Sequence, residues 1–319
     1  MHTSSPSPRH GTSRILLLSA LAAMAAPAAF AQSEVTLYGR VNLSLERQKA
    51  GNTTQNVLQD NASRWGLRGS EDLGGGLKAG FKLESGFDAS TGKGASALFG
   101  RQSEVNLSGN WGMLRAGNIL SEAYLATADY ISMHNHDTGT SADALYAFPV
   151  MRDTNKVAYR TPSMGGFTAE VATSLAETTP GKRAYDVAAN YDGGPLQLGA
   201  GYNKKDTADQ FAVRGLYSWG AFTGGAYVQR DKNGWASGTR TTTRVSGMYQ
   251  IGATELHANW GRAGNYSNVA NSSANQYTLG LNYNLSKRTK VYAFYTKVAD
   301  KGTIYGDFSS VAAGLRHNF

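Results

Sequence analysis

The sequence predicts an all-β chain, a closed antiparallel barrel of sixteen strands that crosses a membrane, and three observations predict it. The first is the C-terminal strand Val311-Ala312-Ala313-Gly314-Leu315-Arg316-His317-Asn318-Phe319, in which Val311, Ala313, Leu315, His317 and Phe319 share one face. Side chains alternate across a strand with a period of two, and an aromatic last residue suits a strand that closes a barrel against the first. The second is an export segment at the other end. Arg9, His10 and Arg14 precede the apolar run Ile15 to Met24, and small residues follow, ending Ala29-Phe30-Ala31. This is a cleavable signal over residues 1–31, with cleavage expected between Ala31 and Gln32 and export by the Sec route. The third is a rhythm of alternating segments, each of roughly ten residues, separated in turn by short and long connections.

The first strand, Val35 to Leu45, sends Val35, Leu37, Val41, Leu43 and Leu45 to one face and Thr36, Tyr38, Arg40, Asn42 and Ser44 to the other. Leu77 to Glu84 repeats the pattern, with Lys78, Lys82 and Glu84 directed inward. Short turns are expected at 71–75, 109–112, 162–166, 192–195, 219–220, 251–252 and 284–287, where Gly supplies positive φ and Asn, Asp and Pro fix the rest. Longer polar stretches lie around 48–61, 89–97, 119–153, 176–184, 204–209, 231–240, 264–275 and 299–307. Seven turns and eight loops separate sixteen strands, an even number with the short-turn and long-loop alternation of an outer-membrane barrel. Sixteen strands leave a water-filled channel, whereas eight are filled by side chains.

Composition excludes the alternatives. There is no cysteine, so an exported chain of this kind has neither a disulfide framework nor a thiol nucleophile. Apart from the signal, no apolar run approaches the roughly 20 residues of a membrane helix. Mean hydropathy is −0.38, which is compatible with a barrel because only alternate residues face lipid. Formal charge is +8, and loss of Arg9 and Arg14 with the signal leaves about +6 on residues 32–319, which read as one domain. The basic residues are spread over strands with no stacking module, so no nucleic-acid partner is expected.

One connection is far longer than the rest. Residues 119–153 carry Glu122, Asp129, Asp137 and Asp143 with His134 and His136. Loops of this length are usually functional or disordered: this one either folds into the barrel to narrow it, the expectation that the family resemblance set out next implies, or stays exposed and mobile.

The chain resembles the Gram-negative general porins, particularly their neisserial and β-proteobacterial branch. Val35-Thr36-Leu37-Tyr38-Gly39 looks like that branch's mature N-terminus, and Ser63 to Glu84 resembles its most characteristic block. Gly100-Arg101-Gln102, Asn155 to Tyr159 with Pro162, and Gly314 to Phe319 are similar as well. The resemblance implies a homotrimer of sixteen-stranded barrels in the outer membrane, in contact with lipid and lipopolysaccharide. It implies passive diffusion of ions and small hydrophilic solutes, with no cofactor and no metal. It also implies a row of constriction arginines facing the third loop, which by motif position are Arg64, Arg101 and Arg152.

Alternation independently directs Arg64 and Arg68 inward, as it does Arg40 and Lys82, and Arg115 completes the expected wall. Arg101 shares parity with Phe99, Val105 and Leu107, so a bulge is needed to turn it inward. Where the branch carries Gly-Arg at the end of the fifth strand, this chain has Gly117-Asn118. Guanidinium groups stay charged at physiological pH, and rows of them favour anions, so a modest anion preference is expected. The competing readings are a barrel-borne hydrolase and a plugged, adhesin-like barrel. Against the first, neither His257 nor His317 sits in a nucleophile motif, and Gly74-Gly75-Gly76 precedes a strand rather than a phosphate-binding helix.

Overall fold

The computed structural model describes residues 34–131, 144–149, 152–177, 182–302 and 304–319. Its strands run in chain order as β1 (Glu34–Ala50), β2 (two segments, Thr53–Asp60 and Arg64–Gly74), β3 (Leu77–Gly86), β4 (Gln102–Gly109) and β5 (Gly112–Leu120). Two short helices follow, α1 (Glu122–Leu125) and α2 (Ala128–Ile131). Then come β6 (Arg152–Arg160), β7 (Phe167–Ser174), β8 (Ala184–Gly193), β9 (Leu196–Lys205), β10 (Ala208–Trp219) and β11 (Phe222–Lys232). The barrel is completed by β12 (Thr239–Ile251), β13 (Thr254–Ala263), β14 (Ala274–Asn284), β15 (Thr289–Asp300) and β16 (Phe308–Asn318). Each strand pairs antiparallel with the next, and β16 pairs with β1 from Arg40↔Asn318 to Ala50↔Phe308. The sheet therefore has no free edge, the condition for a strand structure in lipid.

Two segments make one strand at β2 because β1 pairs with both, Leu43↔Asp60 on one side of the break and Arg40↔Arg64 on the other. Three residues, Asn61, Ala62 and Ser63, face two, Val41 and Asn42, which is a bulge. Ala62 takes a left-handed φ of 58° there. Asn42 holds the bulge by donating its amide N–H to Ser63 Oγ (3.0 Å) and accepting from the Asn61 N–H (2.8 Å).

Each of the seven expected short turns overlaps a junction between strands, although at 71–75 the strand runs on to Gly74 and the turn itself is Gly75-Gly76. Two of the eight longer connections close instead as two-residue turns. Around 48–61 the ladder continues to a turn at Gly51-Asn52, and around 204–209 only Asp206 and Thr207 separate β9 from β10. Polar residues on both faces mark where a hairpin leaves the lipid, not where its hydrogen bonds stop.

The barrel is turned inside out relative to a soluble domain. Val35 and Leu37 are 62% and 58% exposed on the outer face, and Val105, Val171, Leu279, Val311 and Leu315 stand out with them. Asn42, Ser44, Asn203, Gln210, Gln229, Gln276 and Thr296 are buried on the inner face. Trp111, Phe167, Tyr217, Trp219, Phe222, Tyr249 and Tyr283 lie beside the short turns, as an interfacial aromatic girdle requires.

Candidate functional site

The inner face carries the site, and the long connection after β5 shapes it. Ser121 caps α1 by accepting the Tyr124 N–H (3.2 Å), and Thr127 Oγ1 donates to the Ala123 carbonyl (2.6 Å). These turns lie against the wall. The Ala123 N–H donates to Asp186 Oδ1 on β8 (3.0 Å), and Arg214 Nε of β10 donates to the Ala126 carbonyl (2.6 Å). Glycine in β9 allows the approach: a methyl on Gly199 would stand 2.0 Å from the Ala126 carbonyl oxygen, and one on Gly201 2.6 Å from Ala123 Cα. Tyr124, Ala128, Ile131 and Tyr146 then pack on Ala212, Leu216 and Tyr227 in an apolar cluster inside the barrel. The returning limb, 144–149, is tied by Gln229, which accepts the Ala147 N–H (2.9 Å) and donates to its carbonyl, and by Arg240 Nη2 on the Leu145 carbonyl (3.1 Å). The described parts of the loop thus lie along the wall from Arg160 of β6 to the cluster of Leu145 with Ala263 of β13, Ala274 of β14 and Val298 of β15.

The cations of β1 to β3 occupy the other side. In a closed barrel of sixteen strands, β2 stands eight strands from β10 and is diametrically opposed to it. Arg40 and Arg64 are cross-strand partners, as are Arg68 and Lys82. They gather around Glu84. Its Oε1 lies 2.6 Å from Arg101 Nε and 3.9 Å from Arg64 Nε, and its Oε2 lies 4.0 Å from Lys82 Nζ. Tyr38 Oη donates to Oε2 (3.0 Å). The Tyr38 ring in turn lies beneath the Arg68 guanidinium (5.3 Å to the centroid) and Lys82 Nζ (5.8 Å). Arg40 donates through Nε to Asn318 (3.1 Å) at the barrel seam.

Arg101 reaches this group without a bulge. It stands one residue before β4, outside the pleat, with its N–H on the Glu84 carbonyl (3.2 Å) and its side chain across Gly86. Alternation has no hold on a residue before the strand, which is why parity misplaces it.

Arg115 belongs elsewhere. It is buried between Glu104 (2.7 Å) and Glu170 (2.8 Å), and Glu170 also holds Arg160 Nε (2.9 Å), whose Nη2 reaches Glu122 (2.5 Å). Lys156 pairs with Asp186 (3.3 Å), the same carboxylate that caps α1. This network lies under the loop and is spent on docking it. Burial pushes the Glu122 carboxyl above the ordinary carboxylate range, and the Arg160 guanidinium beside it pulls the other way.

The remaining expected residues are placed only in part. Asp129 falls in α2 and Arg152 opens β6, but their side chains lie outside the described residues, as do Asp137, Asp143, His134 and His136. Asn118, at the position of the branch's arginine, donates to the Gly100 carbonyl (3.1 Å). His257 is inward and buried, its Nε2 3.3 Å from Glu255 and 3.2 Å from Asn282 Nδ2. Sequence marks Glu84 and Tyr38 as inward but not as site residues, and it does not single out Glu104, Arg160 or Glu170. The partners become visible only through register, in Lys82↔Glu104 and Arg160↔Glu170.

Comparison with known proteins gives a consistent picture. A model of the Gram-negative porin family matches residues 18–303. Outer membrane porin protein 32 of Delftia acidovorans is 32% identical across 93% of this chain and 93% of its own length. An outer membrane porin protein of Bordetella pertussis is 27% identical across 96% of this chain and 100% of its own length. Among solved structures, an anion-selective porin from Comamonas acidovorans superposes with a TM-score of 0.76 at 26% identity, covering 90% of this chain and 100% of that one. OmpF of Salmonella typhi, solved with daunomycin, shares the fold with a TM-score of 0.75 at 15% identity, over 89% and 97%.

Proposed function

This chain belongs to the Gram-negative porin family, and from that premise we propose that it is an anion-preferring diffusion channel, working as a homotrimer, with residues 1–31 removed on export. It is an outer-membrane porin. Its work is passive: small hydrophilic solutes and ions cross the water-filled lumen, and no catalytic residue, cofactor or metal is needed. Lipopolysaccharide and phospholipid are the partners of its outer face.

The observation that carries the anion preference is the unequal balance of the two charge groups, several cations to one carboxylate on one side and acids matched by cations on the other. Arg40, Arg64, Arg68, Lys82 and Arg101 gather on adjoining strands around Glu84. Across the barrel, Glu122 and Asp186 are engaged with Arg160, Lys156 and the loop backbone. Cations lining a lumen raise the local anion concentration, and the effect falls with salt. The similarity to the anion-selective porin from Comamonas acidovorans supports the same sign.

Zero-current potential in a planar bilayer under a KCl gradient tests this directly. The expected result is discrete conductance steps in groups of three with a potential of the chloride-permeable sign. A potassium-permeable sign overturns the preference while leaving the channel.

A further inference from the structure

The mouth at the long-loop end holds a feature that charge does not explain. Four of the five tryptophans are accounted for by lipid: Trp111 and Trp219 sit at short turns, and Trp65 and Trp260 have outward parity in their strands. Trp235 is the exception. It lies in the connection between β11 and β12, and its ring meets Phe148 of the inward-folded loop (centroids 6.0 Å, 64° between planes) and Tyr305 of the connection before β16 (6.1 Å, 59°). The three rings therefore face the lumen side of the mouth, yet Trp235 is 49% exposed. A large aromatic surface held open to water is unfavourable unless something covers it.

The ring is also held in place. Gly234 lies so close to the loop that a methyl there would stand 2.7 Å from Ala147 Cβ and 2.7 Å from Asp231 Oδ1. The Trp235 backbone N–H donates to Tyr266 Oη (2.9 Å), which itself donates to Asp231 (2.6 Å). Tyr305 packs on the buried cluster of Leu145, Ala263, Ala274 and Val298, and its hydroxyl is bound by Arg240. An edge-to-face contact covers the edge of one ring and part of one face of the other, and the 49% exposure of Trp235 leaves ring surface for a flat solute. An exposed, rigid aromatic ring loses little entropy on binding.

We propose that Trp235, with Phe148 and Tyr305 beside it, is a stacking station at the outer mouth for aromatic carboxylates, which are then drawn on by the cationic wall. The proposal rests on the anion-channel reading above: the ring selects a flat face, and the arginines select the charge. Aromatic acids are then a favoured solute class of this pore, relative to aliphatic acids of equal size.

The experiment is conductance of the assembled porin in a planar bilayer, in KCl, with solute added on the long-loop side. Benzoate is compared with cyclohexanecarboxylate, which has the same charge and no flat face, and with benzyl alcohol, which has the face and no charge. Benzoate is expected to reduce the current at a concentration roughly two- to tenfold lower than either comparison solute. Trp235→Leu, which keeps apolar bulk, should abolish that margin at unchanged chloride conductance, and Trp235→Tyr should keep it. Equal action of benzoate and cyclohexanecarboxylate, or of benzoate and benzyl alcohol, overturns the station. So does loss of the margin in both variants or in neither. Absence of chloride steps from the folded wild-type protein would overturn the channel reading itself, a different failure from chloride steps without benzoate preference.

Discussion

Glu84 and Arg64 are the residues on which selectivity is most sharply poised. They share a water-filled lumen, so each charge acts on a passing ion at high dielectric. At about 5 Å in water a unit charge is worth about 0.8 kcal/mol, roughly fourfold for each ion and of opposite sense for chloride and potassium, hence roughly sixteenfold in their permeability ratio. Arg64→Gln is expected to lower the chloride-to-potassium permeability ratio by about that factor, and Glu84→Gln to raise it by the same order. Both effects should shrink in 1 M KCl, where the screening length falls to about 3 Å. Zero-current potentials at two salt concentrations check this, and a Glu84→Gln shift toward potassium would remove Glu84 from the wall. These positions were partly legible in the sequence. Alternation alone places Arg40, Arg64, Arg68 and Lys82 inward, since all lie within regular pleats. Arg101 was not legible by parity because it precedes its strand. Arg115 was legible as inward but not as neutralised, since its partner Glu170 is 55 residues away and is brought near only by the registers of β5 to β7.

At the scale of elements, docking of α1 is coupled to a proton. Glu122 is buried beside Arg160 and near Glu170, Arg115 and Asp186, and its carboxyl titrates above its ordinary range with desolvation as the main cause. A carboxyl whose value rises on docking binds its proton more tightly docked than free. Docking is therefore most favourable below the ordinary glutamate value, and that advantage is lost as pH rises through the raised one. The ion pair with Arg160 does not reverse the sign, because the Arg160 side chain stays 34% exposed and solvent weakens its attraction for the more deeply placed carboxylate. Hydrogen exchange of the amides of 123–131 is expected to show wild type and Glu122→Gln equally protected at low pH. Toward neutral pH, wild type should become the less protected. Wild type more protected at neutral pH would mean that the ion pair outweighs burial. The loop's docking was foreseeable from its length together with the family resemblance, but the glycines of β9 that admit it carry no distinguishing mark in sequence. The hairpins at 48–61 and 204–209 were misjudged for a related reason: polarity reports solvent, and a ladder above the membrane has water on both faces.

For the whole molecule, everything depends on one seam between the two ends of the described chain. The Gly39 N–H donates to the Phe319 carbonyl (3.0 Å), the Phe319 N–H donates back (3.1 Å), and the Phe319 ring lies over Gly39. This pair finishes the ladder that converts an open sheet into a barrel, since an unsealed edge in lipid leaves N–H and C=O groups with no water to satisfy them. A methyl on Gly39 would stand 2.3 Å from the ring and 2.7 Å from the Arg64 carbonyl oxygen. The first contact is with a side chain at the chain end, which can swing away; the second is with backbone of the neighbouring strand, which cannot. Gly39→Ala is therefore expected to destabilise the folded barrel by about 1–3 kcal/mol, the usual range for overpacking. Phe319→Ala removes the ring and its contact with Gly39 but keeps both backbone hydrogen bonds, so its cost should be smaller. In the double variant the ring clash is absent and only the Arg64 clash remains, so its loss should be less than the sum of the single losses. The midpoint temperature at which the folded barrel opens in detergent, read for the four proteins, measures that coupling. Strict additivity would mean that the ring and Gly39 are energetically independent, and that the seam is held by its backbone hydrogen bonds alone.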